Sequence, residues 1–337
     1  MAFYSRDPEL GNHLEAVLQQ LELERPGLRE QLSITWLVYD SSPLDLAAGL
    51  SLPDFWGMAP RGAGHLGEQQ RYPASVVKLI YAAAVEAWQA RDLLPDLEEL
   101  RRACHDMIAH SGNDATALVV DLLSGTTSGP ELPDDPFRSW ARQRQLVNQW
   151  FAALQWPEWE GCNACQKTWA EGPYGRERQF YGPALENRNR MSTDFTARLL
   201  HAVIAGAWVS PLASARLRDL LCRSLDLDER RSDPENQVDG FLGGGLPEGS
   251  RLWSKAGWMS QARHDAAYIE AEGCLPMLLV AFSTGPDRSK DEQLERWLAW
   301  MPVPTFIVEI GKSLHIYLVL KQPIAPAACH WPTTGRV

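Results

Sequence analysis

The order of the predicted secondary structure elements constrains the fold of this chain most. Apolar residues recur at helical spacing over residues 10–23, and a β-rich alternating run at 32–39 predicts a strand. Helical patterns then dominate, and three more strands are predicted near the far end of the chain, at 251–255, 266–271 and 275–283. An antiparallel sheet built from both ends of the chain, with a helical block inserted between them, satisfies this order. The sequence therefore predicts an α+β fold.

The helical block contains one long segment without a clear period. Residues 156–183 predict a long irregular loop, and loops of this length are usually functional or inserted. Ser192 or Thr193 is a plausible N-cap for the helix that follows. Helices are predicted at 79–90, 97–109, 114–123, 140–154, 193–205, 211–225 and 292–301, and residues 226–250 predict a loop.

A serine and a lysine lie three residues apart at the start of one predicted helix. Ser75 and Lys78 share one helix face at this spacing, and Pro73 fits the first turn. The positive end of the helix dipole lowers the cost of an anionic oxygen at Ser75. A serine becomes a strong nucleophile when an amine close by takes its proton, so the pair is a candidate nucleophile and base. Taken alone, an N-cap serine without a catalytic role would be the better explanation.

Two further strings follow Ser75-Val76-Val77-Lys78 along the chain, namely Ser111-Gly112-Asn113 and Lys255-Ala256-Gly257. The order S-x-x-K, S-x-N, K-x-G is similar to the signature of class A β-lactamases and penicillin-binding proteins. The chain resembles this superfamily, and the flanking residues extend the resemblance. The stretches 107–116, 252–258 and 189–200 resemble the family's second motif, the strand of its third motif and the helix after its Ω loop.

The resemblance covers roughly residues 30–301 and implies a β-lactamase/transpeptidase-like domain. We expect this domain to span 1–301, with a sheet part at about 30–74 and 212–301 and a helical part at about 75–211. Residues 302–337 form a C-terminal tail to which the sequence assigns no role.

The resemblance also implies catalysis through an acyl-enzyme. Cleavage of an amide or ester carbonyl needs a nucleophile, a base, an oxyanion site and an acid for the leaving group. By resemblance, Ser75 is the nucleophile, Lys78 is the base when it is neutral, and Ser111 passes a proton to the leaving nitrogen. The backbone N–H groups of Ser75 and Trp258 would form the oxyanion hole.

The resemblance implies that the second and third strings bind the substrate. Asn113 would bind the substrate amide and hold Lys78. Lys255 would bind a substrate carboxylate from the strand edge, and Gly257 would allow close approach of the backbone. Read without the resemblance, Ser111-Gly112-Asn113 is equally an ordinary helix–loop turn, since all three are turn residues.

Three positions modify this expectation. Gly112 stands where the family usually has Asp, which removes a structural side chain, and Asp114 is a candidate to compensate for it. Ala256 replaces the usual Thr or Ser, so one hydroxyl to the carboxylate is missing. Arg263 or His264, near the start of the next strand, is a candidate to add charge for the carboxylate. The alternative is that both are simply turn residues.

The largest departure concerns the water that releases the acyl group. In the loop that precedes the position of Ser192, class A β-lactamases carry a Glu, with an Asn four residues later, to activate that water. Glu171, Glu177 and Glu186 are within reach by sequence, but none has this Asn. Glu186 with Asn189 is the nearest match, and the alternative is that all three are solvated loop carboxylates. Fast β-lactam hydrolysis is therefore in question.

Composition bears on partners and compartment. The formal net charge of −11 argues against nucleic acid and anionic membranes as partners. The first 27 residues lack the basic start and apolar run of a signal peptide, so we expect a cytoplasmic protein. We also expect a monomer. Cys162 and Cys165 form a lone C-x-x-C without the second ligand pair that a structural zinc needs, so no metal and no organic cofactor are expected.

Together these observations predict a serine acyl hydrolase that forms an acyl-enzyme on Ser75 with cyclic or linear amides. We expect its substrate to be a small amide or ester that bears a carboxylate, with β-lactam hydrolysis as the family activity. A D-alanyl carboxypeptidase-like enzyme, or a small-molecule amidase or esterase that releases β-lactams slowly, is the first alternative. A non-catalytic binding protein that kept the pocket is the alternative from another class. A glutaminase shares a similar fold, but Lys255-Ala256-Gly257 favours the lactamase side.

Overall fold

The computed structural model describes residues 3–233, 236–247 and 249–286. Seven strands form one sheet: β1 (Ser5–Arg6), β2 (Leu32–Val38), β3 (Arg61–His65), β4 (Cys222–Arg223), β5 (Arg251–Met259), β6 (Ala262–Glu270) and β7 (Met277–Thr284). Their order across the sheet is β1-β3-β2-β7-β6-β5-β4. Both ends of the described chain thus meet in the sheet, which confirms the predicted α+β fold.

The helices fill the stretches between these strands. They are α1 (Pro8–Glu24), α2 (Leu28–Gln31), α3 (Leu52–Gly57), α4 (Lys78–Gln89), α5 (Glu98–Ala109), α6 (Asn113–Ser124), α7 (Asp134–Arg144), α8 (Leu146–Ala153), α9 (Gly175–Tyr181), α10 (Thr193–Ile204), α11 (Pro211–Leu221) and α12 (Leu227–Ser232), with 3-10 helices at Ala74–Val77 and Pro157–Trp159. The helix predicted at 292–301 and the tail at 302–337 lie outside the described residues. Within the described ranges, no helix is both long and apolar enough to cross a membrane.

One pairing differs from the antiparallel expectation. β1 runs parallel to β3, whereas all the other described strand pairs are antiparallel. The chain passes through α1, β2 and α3 between these two strands, and this excursion brings it back to the same end of the sheet. The two-residue β1 was too short to leave a periodic signal in the sequence.

Two apolar layers sandwich the sheet. On one face, α1 buries its apolar stripe against β2, β5, β6 and β7. On the other face, α10 packs against β2, β6 and β7, and residues of α4 belong to the same buried cluster. Each fully buried Leu or Ile stabilises the fold by roughly 1.5–3 kcal/mol. The sheet is therefore covered by apolar side chains on both faces, and the 3-10 helix before α4 contacts β5 and β6.

Most predicted helices are confirmed, with shifted ends. The Ser192 hydroxyl accepts a hydrogen bond from Phe195 N, as expected of an N-cap for α10. The helix predicted at 140–154 is instead two helices, because the chain turns at Gln145, whose N–H bonds to Arg142 O. The helix predicted at 211–225 ends at Leu221, where β4 leaves to pair with β5.

The segment 156–183 is more ordered than the predicted irregular loop. It contains a 3-10 helix and α9, whose Glu177 is fully buried and paired with Arg144 at 2.7 Å. A buried ion pair orders this segment, and such pairing leaves no hydrophobic period in the sequence. The loop predicted at 226–250 likewise contains the short α12, which is capped by the Asp226 carboxylate.

Candidate active site

Ser75 lies in a tight turn between the sheet and α4. It is the second residue of the 3-10 helix Ala74–Val77, which continues directly into α4 at Lys78. Val76 and Val77 are fully buried and anchor this turn, whereas Ser75 itself is partly exposed. Ala74 has a φ of +46°, a conformation that non-glycine residues rarely adopt and that is often found at functional sites.

Lys78 is fully buried one turn after Ser75. Its Nζ donates to the backbone oxygen of Ser111, to Ser111 Oγ at 3.2 Å and to Asn113 Oδ1 at 2.9 Å. Burial lowers the pKa of Lys78 from 10.5 to about 7. A large fraction of this amine is therefore neutral near neutral pH, which is the state that a general base requires.

Lys255 approaches the same point from β5. Its Nζ donates to Ser111 Oγ at 3.1 Å, to Ala256 O at 2.7 Å and to Gln237 Oε1. Burial is the main cause that lowers the pKa of Lys255 well below its usual range, and the positive charge of Lys78 adds to it. The two lysines are thus electrostatically coupled across one hydroxyl.

Ser111 connects the two lysines. Its hydroxyl lies 3.2 Å from Lys78 Nζ and 3.1 Å from Lys255 Nζ. Its φ of +55° is a strained conformation, held by a hydrogen bond from Gly112 N to Asp106 O. A hydroxyl placed between two amines can receive a proton from one side and pass it to another acceptor.

Gly257 lets β5 approach the Ser75 turn. A Cβ at this position would lie 2.8 Å from Ser75 N and 2.9 Å from both Pro73 O and Val76 N, too close for any side chain. The backbone of β5 therefore packs directly on the turn that carries the Ser75 N–H. Trp258 is the next residue of this strand, and its side chain contacts Phe241.

Comparisons with known proteins identify the family and the fold of the chain. A family model described as "Beta-lactamase enzyme family" matches residues 87–299. The chain belongs to this family. A search of curated proteins finds no match.

Solved structures with related folds are similar to the chain. A penicillin-G acyl-enzyme complex of the L158E mutant of PBP-A has a TM-score of 0.55 and 16% identity, covering 84% of this chain and 90% of that one. A β-lactamase from Chitinophaga pinensis has a TM-score of 0.54 and 15% identity, covering 82% and 92%. One from Xanthomonas campestris pv. campestris has 0.51 and 17%, covering 82% and 90%. At these identities the likeness establishes the fold alone.

The chain is thus a member of the β-lactamase enzyme family. Arg263 and His264, the two residues expected to add charge beside Lys255, have contacts that differ from this expectation. Arg263 lies on the sheet face opposite to Lys255, donates to Gly240 O at 2.9 Å and packs over Phe241. His264 is buried, with Nε2 2.8 Å from Tyr72 O, and burial lowers its pKa to about 4. It is neutral at neutral pH, so neither geometry supports a charge for the substrate carboxylate.

Each of the three candidate acids of the loop is either exposed or paired with another side chain. Glu186 is exposed and accepts a hydrogen bond from Ala184 N within its own turn. Glu171 is exposed as well. Glu177 is fully buried, but its carboxylate pairs with Arg144 and accepts from Ser128 Oγ at 2.9 Å. The structure places none of the three in hydrogen-bond contact with Lys78.

Two residues that the sequence analysis missed support Lys255. Gln237 is 2% exposed, donates to Ile108 O and Ala109 O at 2.8 Å each, and accepts from Lys255 Nζ. The Arg223 guanidinium donates to Ser254 O and to the same end of α5. Neither lies near a motif in the sequence, so no sequence signal would have identified them.

A third missed residue touches the site from the segment before α9. Thr168 Oγ1 donates to Asn113 Oδ1 at 2.8 Å, the same oxygen that accepts from Lys78. This contact joins the 164–168 segment to the Asn113 side chain that also binds Lys78.

Among the described residues, one group could hold a metal. Donor atoms of His105, Asp106 and His110 lie within 4.8 Å of one another at the exposed end of α5. The contacts of the two lysines and Ser111 do not involve these side chains. The two cysteines of the C-x-x-C, Cys162 and Cys165, are both free thiols.

Proposed function

We propose that this protein is a serine acyl hydrolase that forms an acyl-enzyme on Ser75 with cyclic or linear amides, β-lactams among them. The observation that carries the proposal is the position of Ser111 Oγ, 3.2 Å from Lys78 Nζ and 3.1 Å from Lys255 Nζ. Because the S-x-x-K helix, the S-x-N turn and the K-x-G strand meet at this one hydroxyl, the three strings act as one site.

In the first step neutral Lys78 takes the proton of Ser75 Oγ, and this oxygen adds to the substrate carbonyl carbon. A neutral amine has two N–H groups and one lone pair, so Lys78 gives up one of its three donor contacts. The contact to Ser111 Oγ is the longest of them and is the one given up, which leaves the lone pair of Lys78 to accept the proton of the Ser75 hydroxyl. The backbone N–H groups of Ser75 and Trp258 stabilise the resulting oxyanion.

In the second step the carbon–nitrogen bond breaks and the leaving nitrogen takes a proton from Ser111. The proton on Lys78 then replaces the proton that Ser111 gave up, which leaves the ester on Ser75 and a neutral lysine. Water subsequently adds to this ester, and Ser75 Oγ leaves and recovers a proton. The serine, both lysines and Ser111 are thereby regenerated.

Lys255 favours substrates that carry a carboxylate. Burial and the nearby charge of Lys78 disfavour its ammonium form in the free protein. A substrate carboxylate beside this amine supplies the missing counter-charge and stabilises the ammonium. Binding of an anionic substrate is therefore expected to be strongest when Lys255 can become protonated.

A slow-releasing enzyme is the second candidate, either D-alanyl carboxypeptidase-like or an amidase or esterase. The environment of the three loop acids favours it, because Glu177 is held by Arg144 and Glu186 by its own turn. In that case acylation is fast, but the acyl-enzyme accumulates.

The test is intact mass spectrometry over time after mixing with a penicillin, with a fluorophosphonate as a second probe. Rapid turnover of the penicillin, with a transient adduct that adds the mass of one penicillin molecule to the protein, supports a β-lactamase. A lasting adduct supports the slow-releasing enzyme. The absence of any adduct with either probe contradicts the proposal and supports a non-catalytic binding protein.

A further inference from the structure

Three side chains with metal-binding groups come together where α5 ends. His105 and Asp106 belong to the last part of this helix, and His110 is the first residue after it. One donor atom from each of the three lies within 4.8 Å of the other two. We call these three side chains the α5 cluster. Imidazole nitrogens and a carboxylate oxygen are all common ligands of transition-metal ions, so the cluster has the composition of a metal site.

The backbone that carries the α5 cluster is held from two directions. The N–H of Gly112 donates to Asp106 O at 2.8 Å, which closes the turn that contains His110. From the other direction, the Gln237 side chain donates to the last two carbonyl oxygens of α5, at 2.8 Å each. The fold therefore fixes the spacing of the three Cα atoms, and a metal ion would not have to order this part of the chain.

The side chains of the α5 cluster are open to solvent. Those of His105 and Asp106 are 56% and 48% exposed, and His110 is exposed as well. The two imidazole rings contact each other with their centroids 5.3 Å apart, and His105 Nδ1 lies 3.5 Å from Asp106 Oδ1. A dissolved ion can therefore reach the donor atoms directly, and water can complete its coordination.

The distances within the α5 cluster suit closure around one ion. Zn²⁺ binds imidazole nitrogen at about 2.0–2.1 Å, so two of its tetrahedral ligands lie about 3.3 Å apart. The donor atoms are at most 4.8 Å apart. They need to approach one another by at most about 1.5 Å to reach the separation that zinc requires. Rotation about the bonds of exposed side chains covers this distance without movement of the backbone.

The charges near the α5 cluster are compatible with a cation. The C-terminal end of a helix carries a partial negative charge, and Asp106 adds a carboxylate there. Arg101 and Arg102 belong to the preceding turn of α5, and each has an acidic partner. Arg101 pairs with Asp96 at 2.8 Å. Arg102 pairs with Glu99 at 2.7 Å, so the charge of both guanidinium groups is compensated.

We propose that His105, Asp106 and His110 bind one divalent transition-metal ion of the class of Zn²⁺. Two imidazoles and one carboxylate form a set of three protein ligands that leaves the fourth position of zinc to water. Mg²⁺ and Ca²⁺ prefer sites made of oxygen ligands, so this donor set selects against them. The site does not depend on the acyl-enzyme chemistry proposed for Ser75, and its test is independent of that proposal.

The test begins with the native protein. Zn²⁺ is titrated into it in a buffer that does not bind zinc, and a chromophoric chelator competes for the ion. We expect one ion to bind with a dissociation constant in the micromolar range, weaker than in closed sites with four protein ligands. An equal concentration of Mg²⁺ should not displace it. Because folding assembles the α5 cluster, zinc should also raise the urea midpoint of unfolding.

Three variants assign the bound ion to the α5 cluster. His105→Gln, His110→Gln and Asp106→Asn each remove one ligand. Each should weaken zinc binding at least about tenfold, because the loss of even an outer partner of a metal ligand costs about 10–100-fold in affinity. The three side chains are largely exposed, so the urea midpoints without zinc should equal that of the native protein. His13→Gln, on α1, is the matched control and should bind zinc like the native protein.

Weaker zinc binding in all three cluster variants, with the control unchanged, supports the inference. Native affinity in either histidine variant would place the ion elsewhere and overturn it. The inference is equally wrong if the native protein binds no zinc at about 100 μM free metal, or if equimolar Mg²⁺ displaces the ion. Asp106→Asn keeps the test decisive if a histidine variant does not fold. None of these results bears on adduct formation at Ser75, so failure of the metal site leaves the proposed function standing.

Discussion

Replacing Glu177 by glutamine is expected to destabilise the fold. The Glu177 carboxylate is fully buried and accepts from Arg144 Nη2 at 2.7 Å and Ser128 Oγ at 2.9 Å, with Lys167 Nζ 3.4 Å away. The side chains of Arg144 and Lys167 are only 0% and 3% exposed. In Glu177→Gln these two buried cations would share the single carboxylate of Asp121, which already contacts both.

The expected loss of stability follows from this imbalance. Removing one partner of a buried ion pair typically costs about 3–5 kcal/mol, because the other charge stays buried without compensation. Glutamine keeps the size of the side chain and can still accept from Ser128, and Asp121 still neutralises one cation. We therefore expect the lower end, about 3 kcal/mol. Urea unfolding followed by tryptophan fluorescence should show a lower midpoint with an unchanged slope.

Glu171→Gln and Glu186→Gln are the controls, because both carboxylates are exposed. Each should change the free energy of unfolding by less than about 0.5 kcal/mol. The reasoning would be refuted if Glu177→Gln unfolded at the native urea concentration while it lost the ability to release the acyl group. Glu177 would then be the base for hydrolysis, and not the centre of a structural ion cluster.

Four further predictions concern the site itself. Lys78→Ala should slow acylation by about 10²–10⁴-fold in single-turnover mass measurements. In the native protein, acylation should increase with pH, with a midpoint near pH 7 and a plateau well above it, since the pKa of Lys78 is about 7 and only its neutral form accepts a proton; a flat profile would contradict this role. Lys255→Ala should weaken the binding of carboxylate-bearing substrates and leave that of neutral esters unchanged. Equal losses of binding for both kinds of substrate would show that Lys255 does not bind the carboxylate. Gly257→Ala should reduce acylation, because the added Cβ lies 2.8 Å from Ser75 N and pushes β5 from the turn; native acylation rates in this variant would count against the close packing.

Local patterns were sufficient to predict the elements that carry the site. The apolar run after Lys78 predicted α4, and the alternating run at 32–39 predicted β2. The three strings also come together as their order suggested, since Ser111 contacts Lys78 and Lys255. Two of the strings lie at the starts of helices α4 and α6, and the third lies within β5, so the packing of these three elements brings the strings together.

Long-range polar contacts were not predictable from the sequence. The ion pair between Arg144 and Glu177 joins residues 33 positions apart and orders α9, which has no hydrophobic period of its own. Gln237 supports Lys255 from a segment that contains only turn signals in the sequence. Contacts of this kind depend on how separate elements pack, so sequence periodicity does not report them.

The position of the covalent adduct shows directly whether Ser75 is the nucleophile. The native protein and Ser75→Ala are incubated with a fluorophosphonate and a penicillin, digested, and analysed by peptide mass spectrometry, with urea midpoints compared in parallel. The account predicts an adduct on Ser75 in the native protein and none in Ser75→Ala, at an unchanged midpoint, because the substitution removes one partly exposed oxygen. Labelling that persists in Ser75→Ala would place the nucleophile elsewhere and contradict the account.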